Sequence, residues 1–410
     1  MRDSCGSSSN ESTRLGIMVE QPAVFFNNRY YTSDQFLDEL SFLPDFDEIH
    51  LFIPVKQDNN QHDLFEIGKN IGKTITVHPL PYFASSLNFY NNFISNVLSC
   101  FRIIYSRAKD WDVSLIFDYH LTSLIFFIVS KMKRKRVISY FRSDLLEEVA
   151  AFYNKNGWKA RSAQFGARIL DILSLMRSRY SFNIVMGSRL RKKFAGHSKH
   201  VYNFYPTHIK NEDLRLHSPI DLNQEAGNLV LLFVGRLTPE KGLGFLIEAL
   251  SILSVRYPGR FSLNIVGTGR QEAELREQVR ALGLQECVHF IGPINSKQEL
   301  FIAYSNADIF VLPSLTEGAP KVLSEAMLFG LPIVSTTVGG IPDLVSHEQN
   351  GILVSPRNSN ALADAVCRIG NNEILRRNFS RASRSRVREL TFEVQQAKII
   401  PLLRSFLGME

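Results

Sequence analysis

Cysteine is scarce in this chain. The four among 410 residues, Cys5, Cys100, Cys287 and Cys367, stand far apart and match no disulfide or metal-site spacing. That excludes a disulfide-stapled module and favours a reducing compartment. Long apolar runs are missing as well. The longest, Leu121 to Val129, is too short to span a bilayer and reads as a buried helix. The leading MRDSCGSSSNESTR has no apolar core segment, so residues 1–14 are expected to be disordered and not a secretory signal. There is no short-period repeat, no heptad run and no recognised nucleic-acid motif, so nucleic acid is not expected as a partner. The dinucleotide fingerprint is incomplete. Gly267 and Gly269 are followed by Arg270, Gln271 and Glu272, without the third glycine.

What is present is an ordinary globular composition, 45% hydrophobic and 21% charged, at a length that suggests two domains. The net charge of +7 is uneven. Up to Ser218 there are 28 Lys+Arg against 21 Asp+Glu, and from Pro219 onward 19 against 19. The first half therefore carries the whole basic excess, concentrated at Lys131–Arg136 and at Arg189, Arg191, Lys192 and Lys193. A basic half suits an acidic partner, an anionic membrane surface among them, or is a solvated face with helix capping.

Strand and helix signals alternate throughout, which argues for α/β architecture with parallel sheets. In the first half, strands are expected at Leu15–Glu20, Glu48–Val55, Thr74–Leu80, Val113–Phe117, Val137–Phe141, Phe182–Met186 and His200–Tyr202. A polar, aromatic loop is expected around Asn27–Tyr31, and a helix from Ser33 to about Phe42. Asp45-Phe46-Asp47 spells a DxD motif, but it precedes a strand and reads as a solvated turn, so no metal site is assigned. Pro206–Asn228 is polar and poor in pattern and marks the boundary. The units expected are 15–215, 216–390 and a last helix over 391–410.

The second half centres on DIFVLPSLTEGAPKVLSEAMLFGLP, Asp308 to Pro332. Its apolar run Ile309–Leu312 predicts a buried strand, and Lys321–Phe329 a helix introduced by Pro320 and stopped at Gly330. Glu317 then lies on the loop before the helix and Glu325 about one turn inside it. The first-turn N–H groups of Ala319, Lys321 and Val322 can form an anion site at the carboxyl end of a strand. Glu325 sits among Val322, Leu323, Ala326, Met327 and Leu328, so its carboxylate either faces water or needs donors such as a ribose diol. Arg236 and Lys241, in LVLLFVGRLTPEKG, follow another strand. They can neutralise a diphosphate, or each can be a solvated loop cation. Both are expected to stand open to solvent. Gly267-Thr268-Gly269 and Gly339-Gly340 add tight turns at the same sheet edge.

The order GRLTPEKG, VGTG, FIGP, EGAPKVLSEAM, GLPIVSTTVGGIPD and NGILV, over residues 229–354, resembles the family 4 retaining glycosyltransferases. The most specific element is Glu317 and Glu325 with seven residues between them. The resemblance implies a GT-B fold: two Rossmann-like domains facing across a cleft, the C-terminal one binding a nucleotide diphosphate sugar (UDP- or GDP-sugar) and the N-terminal one the acceptor. It implies a last helix crossing back onto the N-terminal domain. By resemblance, Arg236 and Lys241 bind the donor phosphates, Glu325 the ribose, and Glu317 with Gly318, Ala319, Pro320 and Lys321 the donor sugar. Gly292 lies near the base. On the acceptor side relatives carry a glycine-rich loop where this chain has Gln21-Pro22-Ala23, and a histidine where it has Arg142, Ser143 and Asp144. His120, one strand earlier, joins Arg142 and Asp144 as an acceptor-side candidate. The expected activity is retaining sugar transfer to a glycan or lipid-linked acceptor in glycolipid or surface-polysaccharide synthesis. It needs neither cofactor nor metal, and its expected setting is cytoplasmic, at the inner face of the membrane. A nucleotide-sugar isomerase on the same fold, a non-catalytic sugar-nucleotide-binding subunit and a dinucleotide oxidoreductase are the alternatives.

Overall fold

The computed structural model describes residues 13–32, 46–57, 65–67, 73–82, 92–152, 157–216 and 227–409. The expected helix at 33–42, Asp45 of the DxD motif and nearly all of the expected disordered leader lie outside these residues. Arg14, the last leader residue, opens a strand and pairs with Asp112 at 3.0 Å.

Two sheets organise the chain. The first contains β1 (Arg14–Met18), β2 (Ala23–Phe26), β3 (Arg29–Thr32), β4 (Glu48–Gln57), β5 (Phe65–Glu66), β6 (Thr74–Leu80), β7 (Val113–Phe117), β8 (Arg136–Phe141), β9 (Phe182–Val185) and β10 (Val201–Asn203). Their order is β10-β9-β8-β7-β1-β4-β2-β3-β5, with β6 paired to β4. The second contains β11 (Leu229–Val234), β12 (Phe261–Val266), β13 (Val288–Gly292), β14 (Ile309–Leu312), β15 (Ile333–Thr336) and β16 (Gly351–Val354), in the order β13-β12-β11-β14-β15-β16, all parallel. The central strands are near-continuous apolar runs because helices cover both faces; Val113–Phe117 and Ile309–Leu312 are buried throughout.

One expectation is corrected in the first sheet. The segment read as a polar loop is an antiparallel hairpin, β2–β3, turning at Asn27 and Asn28. Both have positive φ, 45° and 61°, as a two-residue hairpin turn requires, and asparagine tolerates that region best after glycine. Helices at Phe93–Ser106, Ser359–Gly370 and Glu373–Val387 were not anticipated.

The connector between the sheets is less featureless than its composition suggests. It holds a helix, Asn211–Leu216, and Ile209 enters the core of the second sheet. The final helix, Phe392–Leu407, contains Pro401. It sends Ile399, Leu403 and Leu407 into the core of the first sheet, with Leu15, Leu115 and Phe182. Connector and final helix are tied together: Phe392 N–H donates to the Ile209 carbonyl at 2.8 Å, and Asn211 N–H to Glu393 Oε2 at 2.9 Å.

Candidate active site

The carboxyl end of β14 leads into Ser314 and the loop carrying Glu317. The helix Lys321–Leu328 follows, with Pro320 in extended conformation as its N-cap. Two neighbouring turns hold this loop. A Cβ on Gly339 would lie 1.7 Å from the Glu317 carbonyl oxygen, and one on Gly340 2.1 Å from that of Gly318. Only glycines allow the loops to touch, and Gly340 N–H seals the contact by donating to Gly318 O at 2.9 Å. On the other side Gly242, at φ 68°, brings the Arg236–Gly242 turn against Pro313, where a Cβ would stand 2.2 Å from the carbonyl oxygen.

That arrangement delivers Lys241 to Glu317. Lys241 Nζ donates to Glu317 Oε1 at 2.5 Å, and Ser314 Oγ donates to the same oxygen at 2.7 Å. Their side chains are only 17% and 9% exposed, so Lys241 does not stand open to solvent as expected; a carboxylate 76 residues away has drawn it in. Arg236 is the opposite case. Its side chain is 77% exposed and 4.0 Å from Glu240. The structure thus brings Lys241 and Glu317 together and leaves Arg236 at the rim.

Glu325 is half-buried, and Tyr304 Oη donates to its Oε2 at 2.7 Å. Burial raises the Glu325 carboxyl above its usual range, opposed by the Tyr304 hydrogen bond and by the Lys321 and Lys297 charges. Tyr304 is fully buried, and its phenol is pushed well up by burial and by Glu325. Lys321 Nζ lies 3.2 Å from His208 Nε2 on the connector, and Val322 packs against the core of the second sheet. Gly267 N–H donates to Gly292 O at 2.8 Å, at the adjoining ends of β12 and β13. A Cβ on Gly267 would meet Gly235 O at 1.9 Å, so close approach of backbones already explains that glycine.

The first sheet meets this loop directly. A Cβ on Gly318 would fall 2.1 Å from the Arg142 carbonyl, and Ala319 packs on the core of the first sheet. Asp343, just after the paired glycines, accepts from Ser188 N–H at 2.5 Å at the start of the helix Ser188–Ala195. Arg142 is clamped by Asp118, whose carboxylate accepts from its backbone N–H at 3.0 Å and its Nε at 2.8 Å. Asp144 accepts from Leu146 N–H at 3.0 Å, which caps the next helix, and from Lys193 Nζ at 3.1 Å. His120 caps the helix Leu121–Met132: its Nδ1 accepts from Thr122 N–H at 3.2 Å, and burial lowers the imidazole to about 4. Glu20, two residues past the end of β1, is raised to about 8 by burial and by Asp118, against the pull of Arg142.

Sequence reasoning passed over Ser314, Tyr304, Asp118, Asp343 and Glu20. Of these, only the position of Asp118 and Glu20 at strand carboxyl ends was a usable signal.

Residues 218–386 match the family model of the glycosyl transferases group 1. Over 151 residues the chain is 40% identical to the amylovoran biosynthesis glycosyltransferase AmsK of Erwinia amylovora. That alignment covers 35% of this chain and 37% of AmsK, so the chain spans little more than a third of this curated relative's length. Across nearly the whole chain the likeness is one of fold. Sucrose-phosphate synthase from Thermosynechococcus elongatus superposes with a TM-score of 0.70 at 21% identity, covering 97% of this chain and 100% of that one. Anabaena HepE, in complex with UDP, gives 0.66 at 19% identity over 96% and 100%. The fold is GT-B, two α/β domains with parallel sheets. Among the described residues, no helix is long and apolar enough to cross a membrane.

Proposed function

We propose that the chain is a retaining glycosyltransferase that moves a sugar from a UDP- or GDP-sugar to a hydroxyl of a glycan or lipid-linked acceptor, in glycolipid or surface-polysaccharide synthesis. The observation that carries this reading is the Lys241–Glu317–Ser314 cluster at the head of the helix Lys321–Leu328, inside the segment that matches the group 1 glycosyl transferases. The amylovoran role of AmsK supports polysaccharide synthesis, and the UDP held by HepE makes UDP-sugars the first donors to try.

An ammonium has three N–H donors. Glu317 takes one, leaving two for diphosphate oxygens, and the first-turn amides after Gly318, Ala319 and Pro320 supply a preorganised positive end. Arg236, exposed at the rim, adds a planar fork for the same charge. These groups stabilise the departing diphosphate without a metal. Glu325 receives Tyr304 on one oxygen and offers the other to the ribose. Glu317 orients the donor sugar, with Lys241 fixing its rotamer. The leaving phosphate takes the proton of the acceptor hydroxyl on the same face, which yields retention. Arg142, clamped by Asp118 against the Gly318 loop, is the acceptor-side residue at the seam between the domains. His120 and Asp144, engaged as helix caps, hold the surrounding backbone.

The acceptor reading is supported by one face of the first domain. The helices Phe93–Ser106, Leu121–Met132 and Trp158–Ser178 lie side by side. They expose Ile94 and Leu98, Ile128 and Met132, and Phe165, Ile169, Ile172 and Met176, each set at helical spacing. Arg102, Lys131, Lys133, Arg134, Arg161 and Arg168 are exposed around them. The only acidic residue in these three helices, Asp171, is buried. A wide apolar face whose three helices expose cations and no acid fits the anionic surface of a bilayer, and each such cation contributes about 1 kcal/mol to docking. The enzyme would then work at the cytoplasmic face, beside a lipid-linked acceptor. Not all of the basic runs take part: Lys135 is held over Trp111, and Lys193 between Asp144 and Asp171.

The test is transfer from radiolabelled UDP- and GDP-sugars to bacterial lipid extracts, with the anomeric configuration of the product read by NMR. A glycoside with the donor's configuration supports the reading. An inverted product, or an epimerised donor formed without acceptor, refutes it.

A further inference from the structure

Toward the amino end of the first sheet, away from the cleft, two imidazoles face each other. His50, in β4, and His78, in β6, bring Nδ1 and Nε2 to 3.0 Å, with rings stacked at 14°. Asp110, in the turn before β7, completes a cluster in which one ring nitrogen of each histidine and one carboxylate oxygen lie within 4.8 Å of one another. His78 is buried against Phe52, at 4.6 Å between ring centroids, while His50 and Asp110 are half-buried.

We propose that His50 Nδ1, His78 Nε2 and an Asp110 oxygen form a structural site for one divalent ion of the zinc class, remote from the catalytic cleft. Zinc–imidazole bonds of about 2.0–2.1 Å put two nitrogens on a tetrahedral ion about 3.3 Å apart, close to the separation found. Both nitrogens must present lone pairs, so the proton shared between the rings moves to the outer nitrogen of its own ring. For His50 that nitrogen, Nε2, lies 3.8 Å from Glu48 Oε2, and a carboxylate there is the usual outer partner of a metal-bound histidine. Burial lowers both imidazoles, His78 to about 4, which keeps them neutral and ligand-competent near pH 7. The charged groups facing the pair are Glu48, Asp110 and Asp112 against Arg14 and Arg107, an acid excess of one. Arg107 competes for Asp110 at only 3.9 Å. A water completes four-coordination. The ion would tie β4, β6 and the turn before β7 together. Among the described residues β6 pairs with β4 alone, so it has most to gain from such a tie.

The experiment uses the full, untagged chain, stripped with a chelator and titrated with CoCl2 and then ZnCl2. We expect one equivalent of cobalt to bind with the visible absorption of a four-coordinate site, to be displaced by zinc, and to raise the thermal midpoint. His50→Ala and Asp110→Asn should each weaken binding at least tenfold, and His289→Ala, at an exposed histidine, should not. Absence of the cobalt band and of any thermal shift in the parent chain overturns the site. So does one-equivalent binding that survives His50→Ala and Asp110→Asn unchanged.

Discussion

Lys241 Nζ and Glu317 Oε1 are 2.5 Å apart in a setting where neither side chain is more than 17% exposed. The two charges come from turns after different strands of the second sheet, β11 and β14, and meet because Gly242 in the β11 turn, with Gly339 and Gly340 in the turn after β15, lets both neighbouring turns close on the loop after β14. Removing one partner leaves the other charge poorly solvated, which for a buried pair costs about 3 kcal/mol or more. Lys241→Ala should therefore lower the thermal midpoint as well as the transfer rate. Lys241→Ala with Glu317→Gln should recover part of the midpoint and none of the rate. A coupling of about 0.5–3 kcal/mol is expected between the two positions. Strictly additive midpoint changes would show that the contact carries no energy. Glu317→Gln alone should keep nucleotide affinity and slow turnover.

Tyr304 and Glu325 form the second relationship. Tyr304→Phe removes a hydrogen bond to a carboxylate, worth about 1.5–3 kcal/mol. The Glu325 carboxyl, already raised by burial, should rise further without that donor. Nucleotide affinity, if it depends on ionised Glu325, should then fall off at a higher pH in Tyr304→Phe than in the parent. Calorimetric titration of UDP between pH 5 and 8 checks this; superimposable pH profiles would separate Tyr304 from the ribose site.

Glu20 sets a pH dependence of stability. Its carboxyl is raised to about 8 in the folded chain, from about 4.5 when unfolded. Between these values the folded state holds the proton and the unfolded state has lost it, so stability falls as pH rises through the window. Glu20→Gln should flatten the decline of the thermal midpoint between about pH 5 and pH 8, leaving the midpoint at pH 5 nearly unchanged. An identical decline in parent and variant would assign the slope to other groups.

The exposed stripe of the helix Trp158–Ser178 predicts salt-sensitive flotation with vesicles containing anionic lipid. Phe165→Asp with Ile172→Asp should abolish flotation at any ionic strength. Lys133, Arg134 and Arg168 changed to Gln should weaken it mainly at low salt, by roughly 1 kcal/mol per cation. Transfer to a water-soluble acceptor should survive both sets. Equal flotation of the aspartate variant would remove the bilayer as the partner of this face.

Much of the fold was legible from sequence because β7, β11 and β14 are short, mostly apolar runs bounded by turn-forming or charged residues, the pattern of a strand covered on both faces. The hairpin β2–β3 was missed because Asn27-Asn28 is a weaker turn signal than Asn-Gly, and its flanks, Ala23–Phe26 and Arg29–Thr32, do not alternate cleanly. At the site, the local spacing of Glu317 and Glu325 was visible, whereas their partners were not. Tyr304 reads as one more residue of a helical stripe, and Lys241 as a loop cation, until the fold brings them across 21 and 76 residues of chain. Asp118 stands just after β7, and nothing local announces that it will hold Arg142.

The most direct measurement is calorimetric titration of UDP and GDP into the parent chain and into Glu325→Ala and Arg236→Ala. The account predicts one site for one of the two nucleotides in the parent. Both variants should weaken it about tenfold or more, the loss of a single charged hydrogen bond. Absence of binding of either nucleotide at millimolar concentration, or parental affinity in both variants, would contradict it.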